Sequence, residues 1–126
     1  MQLATLATLL LTLRTGSVWA GTYCYQTGAD FSPWTERAIW HAERACNGYY
    51  VNGKWVNGKF TGNYGNNEKK QACVDLAGGK SMVIDIQNYA ASRPAPKKET
   101  CHEIFTALIL ECYKGGRNDI ADWRYR

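Results

Sequence analysis

Five cysteines are the side chains with the most evident chemistry, and all of them lie beyond residue 20. They are Cys24, Cys46, Cys73, Cys101 and Cys112. In an oxidising compartment such residues pair as disulfides, whereas in a reducing one they more often bind metals or react. Because five is an odd number, at least one of them has no partner within the chain.

The amino terminus indicates the oxidising compartment. The apolar run from Leu3 to Leu13 has the length of a secretory signal core, and the site Val18-Trp19-Ala20 follows it, so we predict cleavage before Gly21. Arg14 interrupts the run and leaves it too short to span a bilayer. We therefore expect residues 1–20 to be a signal peptide. Residues 21–126 should form one secreted, extracellular domain whose small core needs disulfides.

Two histidines are the candidates for acid–base catalysis. Of these, His41 could be combined with Glu36, Glu103 and Arg124 into the set that a small secreted ribonuclease would need. Neighbours on a helix point about 100° apart, so neither histidine forms a ready dyad with the residue beside it. The chain also lacks the nucleophile motif Gly-x-Ser-x-Gly. We expect a protein without catalytic residues, and a ribonuclease stays open as a minor alternative.

A metal site is also constructible from the same part of the sequence. Its ligands would be His41, Cys46, Cys101 and His102, but these lack the Cys-x-x-Cys spacing that is typical of zinc. Secretion favours disulfides over thiolate ligands. We therefore expect no metal and no cofactor.

Aromatic rings and amides give the positive indication of function. All eight tyrosines and four of the five tryptophans lie beyond residue 20, more large rings with polar atoms than a small core buries easily. Sugars stack their CH faces on such rings and bind asparagine through their hydroxyls. We predict a ligand-binding set within the turn-rich segment 49–64, formed by Tyr50, Trp55, Phe60, Asn63 and Tyr64. The alternative is that half of the rings are core and the asparagines only form turns.

A five-residue unit, Val-Asn-Gly-Lys-aromatic, occurs twice in succession from Val51 to Phe60. The two Asn-Gly pairs cannot both be tight hairpin turns, because the two hairpins would have to share residues 54–56 as their only strand between the turns. We interpret the first copy as a loop after the first helix that carries Trp55 outward. The second copy is interpreted as the start of a strand.

The elements that must position these residues follow from periodicity. Apolar residues at helical spacing predict one helix from about Pro33 to Cys46 and another from beyond Pro96 to Gly115-Gly116. Central strands are predicted at 59–64, 71–77 and 81–88, with a tight turn at Gly78-Gly79, and edge strands at 22–27 and 123–126. The class is α+β: two helices packed on a small antiparallel sheet, stabilised by disulfides.

The predicted elements restrict the cysteine pairing. Cys101 and Cys112 lie three turns apart on one helix, so they cannot bond to each other, although each can bond to a different element. Alternation places Cys73 on the face of its strand opposite Val74, where a disulfide would explain it. We favour a bond between Cys46 and Cys73, while the other arrangements stay open.

Charge excludes some partners. The formal net charge of +4 comes from scattered basic residues, without the clustering that nucleic-acid binding requires. No segment beyond the signal is apolar enough to cross a bilayer. We expect neither nucleic-acid binding nor membrane insertion.

Several short motifs, in this order, resemble one family. They are Cys24-Tyr25-x-Thr27-Gly28, Ala45-Cys46, Gly58-Lys59-Phe60-Thr61-Gly62-x-Tyr64, Ala72-Cys73-Val74-x-Leu76, Cys112-Tyr113-x-Gly115-Gly116 and Trp123-Arg124-Tyr125-Arg126. Together they are similar to small secreted cysteine-rich fungal proteins, which include a mushroom glycan-binding protein and, more distantly, killer-toxin-like effectors. The likeness covers nearly all of residues 21–126.

The resemblance also bears on the odd cysteine. The family continues past the last motif to one more cysteine, whereas this sequence stops at Arg126. Either the partner of one cysteine lies beyond this end, or the thiol is free. A free thiol would leave a monomer, which we expect, or would join two chains.

The resemblance implies a non-catalytic extracellular protein that binds a glycan or a cell-surface component of a host or competitor. The alternative is a killer-toxin-like protein that acts on a membrane channel. In that case the contact would come from basic residues, namely Lys54, Lys59, Lys97 and Lys98.

Overall fold

The structure is a computed structural model that describes residues 21–126. The predicted signal peptide, residues 1–20, lies outside the described residues. Helix α1 spans Thr35–Asn47 after a 3-10 turn at Ser32–Trp34, and helix α2 spans Lys98–Glu111. The strands are β1 (Thr22–Cys24), β2 (Tyr49–Val51), β3 (Lys54–Val56), β4 (Asn63–Tyr64), β5 (Lys69–Ala77), β6 (Lys80–Asn88), β7 (Arg93–Pro94), β8 (Gly116–Ile120) and β9 (Trp123–Tyr125).

The main sheet is antiparallel and has five strands in the order β1-β8-β9-β6-β5. Two small sheets, β2–β3 and β4–β7, lie outside it. Helix α1 packs against α2 and also contacts β5. The predicted α+β class with two helices is therefore confirmed, although β8 was not predicted. Among residues 21–126 no helix is long and apolar enough to cross a membrane.

The core lies between the helices and one face of the sheet. In β6, Ile84 and Ile86 are buried while the preceding Val83 faces outward, as the alternation predicts; Asp85, between the two isoleucines, is covered by its ion pair with Arg126. From α2, Phe105 stacks on Phe60 with ring centroids 5.3 Å apart and meets Tyr125 edge to face at 5.7 Å. These aromatic contacts connect the helix layer to both the last strand and the segment after β3.

The predicted strand at 59–64 is wrong for most of its length. Only residues 63 and 64 pair as a strand, with Arg93 and Pro94. The Phe60 amide donates to the carbonyl of Ala45 at the end of α1, and the Thr61 amide donates to Gly58. These backbone groups bond to a helix end and a turn, so no neighbouring strand can use them.

Two tight turns join neighbouring strands, one at a predicted position and one where a loop was expected. Gly78 and Gly79 have φ of 57° and 76° and join β5 to β6 in a tight hairpin, as predicted. Asn52 and Gly53, with φ of 51° and 77°, join β2 to β3 in the same way. Positive φ at both central residues is the geometry that favours Asn-Gly in such turns. The first copy of the repeat is therefore a hairpin and not a loop.

The disulfides join Cys24 to Cys112 and Cys46 to Cys101, with Cα atoms 5.1 and 5.8 Å apart. As predicted, the two cysteines of α2 and its end bond to different elements. The favoured bond between Cys46 and Cys73 is wrong, since Cys73 is free and exposed. Cys46 is buried on the helix side of the sheet, whereas Cys73 lies on the outer face, so the sheet separates them.

Removing the first disulfide tests this pairing. The double variant Cys24→Ser/Cys112→Ser should lose about 2–4 kcal/mol of unfolding free energy, because a long loop is no longer closed in the unfolded chain. Cys73→Ser is the control and should change it by less than about 0.5 kcal/mol. Urea denaturation without reductant measures both values. Equal stability of the double variant and the wild type would contradict the pairing.

Thiol alkylation of the unreduced protein, followed by peptide mapping, should label Cys73 alone. Protection of this thiol until reduction, together with a doubled mass, would instead show the disulfide-linked dimer.

The buried tyrosines predict alkaline destabilisation. Burial raises the pKa of Tyr125 from 10.0 to about 12 and raises that of Tyr64 as well. Folding thus favours the neutral phenol, so this stability is fully present below about pH 10 and is lost as the pH rises through 12. Tyr125→Phe should flatten the loss measured by urea denaturation between those pH values. Tyr113→Phe, at an exposed ring, is the control; equal slopes for both variants would contradict the argument.

Candidate functional site

The β2–β3 hairpin carries an exposed pair of rings directly after α1. Tyr50 and Trp55 lie opposite each other in the register, with ring centroids 4.9 Å apart at an angle of 67°. Tyr50 is 71% exposed and Trp55 is 47% exposed. Cross-strand aromatic pairs stabilise hairpins, so the two rings support each other while they face solvent. We call this pair the hairpin face.

The orientation of Trp55 is fixed by its neighbours. Its indole Nε1 donates to Oδ1 of Asn57 at 2.9 Å. Its ring lies against Gly48, where an added Cβ would come within 2.5 Å of Cζ2. The ammonium Nζ of Lys98 lies 5.6 Å from the ring centroid. One half of the ring is therefore packed, and the other half is available to a ligand.

The second copy of the repeat holds the hairpin to α1. A Cβ on Gly58 would lie 2.3 Å from the carbonyl oxygen of Ala45, so only glycine allows this approach. Two residues later the Phe60 amide donates to the same oxygen at 3.0 Å. The first Asn-Gly makes the turn, and the second lets the returning chain pack on the helix end.

The other side of the hairpin forms a groove against α1, with a volume of about 480 Å³. Cζ of Arg44 lies 3.6 Å from the ring centroid of Tyr49 and 4.2 Å from that of Trp40, so its guanidinium covers both rings. We call it the basic groove; it is lined by Trp40, His41, Arg44, Ala45, Tyr49, Val51, Asn57, Lys59 and Val74.

One wall of the basic groove is held by the edge strand. Nε2 of His41 lies 2.8 Å from the carbonyl oxygen of Asp75, and Nε of Arg37 donates to the same oxygen at 3.0 Å. A carbonyl oxygen only accepts hydrogen bonds, so Nε2 of His41 carries the proton. This imidazole is engaged in joining α1 to β5.

The five predicted ligand-binding residues do not form one surface. Tyr50 and Trp55 lie together on the hairpin face. Phe60 and Tyr64 are 2% and 0% exposed, and the Tyr64 hydroxyl donates to the Phe60 carbonyl at 2.9 Å. Tyr64 therefore belongs to the core and not to the surface, whereas Phe60, although also buried, lines the same depression as Asn63. Asn63 is exposed, but on β4, where it lines a separate depression beside Pro94.

The sequence reasoning missed the helical part of the site. Trp40 is 47% exposed and lies four residues before Arg44, which places both on one side of α1. The signal that could have found them is this spacing of an aromatic and a cationic residue on a polar helix face. It becomes informative only once the hairpin is known to pack beside it.

The residues considered for catalysis are dispersed. His41 lines the basic groove, Glu103 lies in a depression beside His102, and Arg124 lies in a third depression. Nε of Arg124 is paired with Asp119 at 2.7 Å. The structure does not bring together the set that a ribonuclease would need.

The four residues considered as metal ligands do not form a metal-binding group among the described residues. Cys46 and Cys101 are bonded to each other. Within residues 21–126 no three or more His, Cys, Asp and Glu side chains are grouped so that they could hold a metal ion.

No protein-family model, curated protein or solved structure matches the chain. The geometry of the hairpin face and the basic groove is therefore the basis on which function is argued.

The close approach at Gly58 predicts a position-specific cost. Gly58→Ala should lower the unfolding free energy by at least about 1–3 kcal/mol, because the methyl group overlaps the Ala45 carbonyl. Gly65→Ala is a matched control, since its Cβ would meet only an ordinary contact at 3.6 Å, and should cost less than about 0.5 kcal/mol. Urea denaturation compares them. Equal stabilities would contradict the packing of the hairpin on α1.

Proposed function

We propose that this chain is a secreted, non-catalytic protein that binds a glycan or another cell-surface component of a host or competitor. The hairpin face would make the main contact. Two disulfides in a small domain are compatible with an extracellular location, and the signal-like residues 1–20 support export. The resemblance to secreted fungal binding proteins supports the same class of function.

The observation that carries this proposal is the half-exposed ring of Trp55. Tryptophan rings are usually mostly buried. The ring of Trp55 is instead held in a fixed orientation with about half of its surface exposed to solvent. Rigid aromatic rings lose little conformational entropy on binding. They also present the flat surface on which the CH face of a pyranose can stack.

A second candidate function is action on a membrane channel. It is favoured by the ammonium group of Lys98, which lies beside Trp55 and adds positive charge to the same surface. Lys54 lies in β3 of the hairpin, and Lys59 lines the basic groove. A toxin of this kind would use these cations, rather than the rings, against acidic groups of a channel mouth.

A glycan array followed by calorimetry tests the leading proposal. Trp55→Ala should weaken binding of any glycan that the wild type retains by at least about tenfold, since the central stacking surface is lost. Tyr113→Ala removes an equally exposed ring outside the hairpin and should leave the affinity unchanged. Equal affinity of Trp55→Ala and the wild type would sink the role of the hairpin face.

Recordings of calcium and potassium currents separate the two candidates. The channel toxin would be favoured if the wild type and Trp55→Ala both block a current and the double variant Lys54→Gln/Lys98→Gln does not. Absence of glycan binding by the wild type would count against the leading proposal.

A further inference from the structure

We infer that the basic groove selects an acidic saccharide, one that carries a carboxylate or sulfate group. The inference rests on the proposed function, because it names the class of glycan that the neighbouring hairpin face would hold. The anionic group would bind Arg44, and the adjoining sugar would lie towards Trp40. The argument comes from the charge, the donors and the shape of the groove.

The charge of the groove is uncompensated. Its lining contains Arg44 and Lys59 and no carboxylate. The three ion pairs found among residues 21–126 join Arg117, Arg124 and Arg126 to aspartates, so neither groove cation takes part. A half-buried cation without a partner attracts anions more strongly than one that is already paired.

The guanidinium of Arg44 is preorganised. Its Cζ lies 3.6 Å from the ring centroid of Tyr49 and 4.2 Å from that of Trp40, so the two rings restrict where the side chain can lie. Stacking uses the faces of a guanidinium and leaves its N–H groups free at the edge. Those donors are arranged to hold two oxygens of one carboxylate or sulfate, a geometry that a lysine cannot reproduce.

Two other polar side chains of the groove, Asn57 and Lys59, match the same ligand. Oδ1 of Asn57 already accepts from the indole of Trp55, so the free part of its amide is the NH₂ donor. Lys59 contributes only donors. A ligand rich in acceptor oxygens would satisfy all three side chains, whereas a cationic ligand would satisfy none.

The same asparagine connects the groove to the hairpin face. Trp55 donates to Asn57, and Asn57 lines the groove, so the two surfaces share one side chain. The volume of about 480 Å³ falls within the range of small-ligand sites. One saccharide chain could therefore lie across both surfaces, with its acidic unit in the groove.

Calorimetry with three probes tests the inference: an oligogalacturonate for the carboxylate, a heparin-derived oligosaccharide for the sulfate, and neutral chitotetraose. The wild type should bind at least one acidic probe about tenfold or more tightly than the neutral one, and added salt should reduce that preference. Arg44→Gln should abolish the preference. Lys59→Gln should reduce it, and provides the second test should Arg44→Gln not fold.

Lys80→Gln removes one exposed charge at the turn between β5 and β6, at a residue that does not line the groove, and should keep the full preference. Equal binding of acidic and neutral probes, or an equal loss in Lys80→Gln and Arg44→Gln, overturns the inference and leaves the proposed function intact. If the wild type binds none of the three probes and no glycan on the array, both the inference and the proposed function are overturned. Which acidic probe binds more tightly identifies the carboxylate or the sulfate as the recognised group.

Discussion

The carboxyl end of α1 contacts the β2–β3 hairpin, the core and helix α2, and the positions of all three depend on it. The carbonyl of Ala45 accepts the Phe60 amide while Gly58 passes against the same peptide group, and the next residue, Cys46, is bonded to α2 through Cys101. A single turn of helix thus holds a hairpin, a core aromatic residue and the second helix. Because this contact tolerates no Cβ at residue 58, the path of the chain from the hairpin into the core has little freedom.

The hairpin face and the basic groove both depend on this junction. Alternation along β2 sends Tyr50 to the hairpin face and Tyr49 to the basic groove, so one short strand contributes to both. Arg44 lies one residue before the anchored carbonyl, and its stacking on Tyr49 connects helix and hairpin from the other side. Rings and cations held in this way need little ordering when a ligand arrives, which favours affinity from a small area.

Sequence periodicity was sufficient for what depends on local order. It located both helices, the β5–β6 hairpin and the inward face of β6, because 3.6-residue and two-residue repeats are properties of the chain itself. It failed where the structure of a segment depends on contacts with residues far away in the sequence. The Phe60 amide bonds to a helix end and not to a strand, and Cys46 finds Cys101 only after the helices pack. For the candidate site, the sequence predicted the exposure of Tyr50 and Trp55. It did not predict that Phe60 and Tyr64 are buried in the core.

The pair of side chains on the Asp75 carbonyl has a consequence for solubility. Strand β5 is one edge of the main sheet, and such an edge offers unpaired backbone groups to strands of other molecules. At one end Arg37 and His41 already occupy the carbonyl of Asp75, and at the other Lys69 places an exposed charge on the strand. A strand from another molecule would have to displace these two side chains of α1 or desolvate the ammonium group of Lys69, so α1 also protects the sheet edge against aggregation.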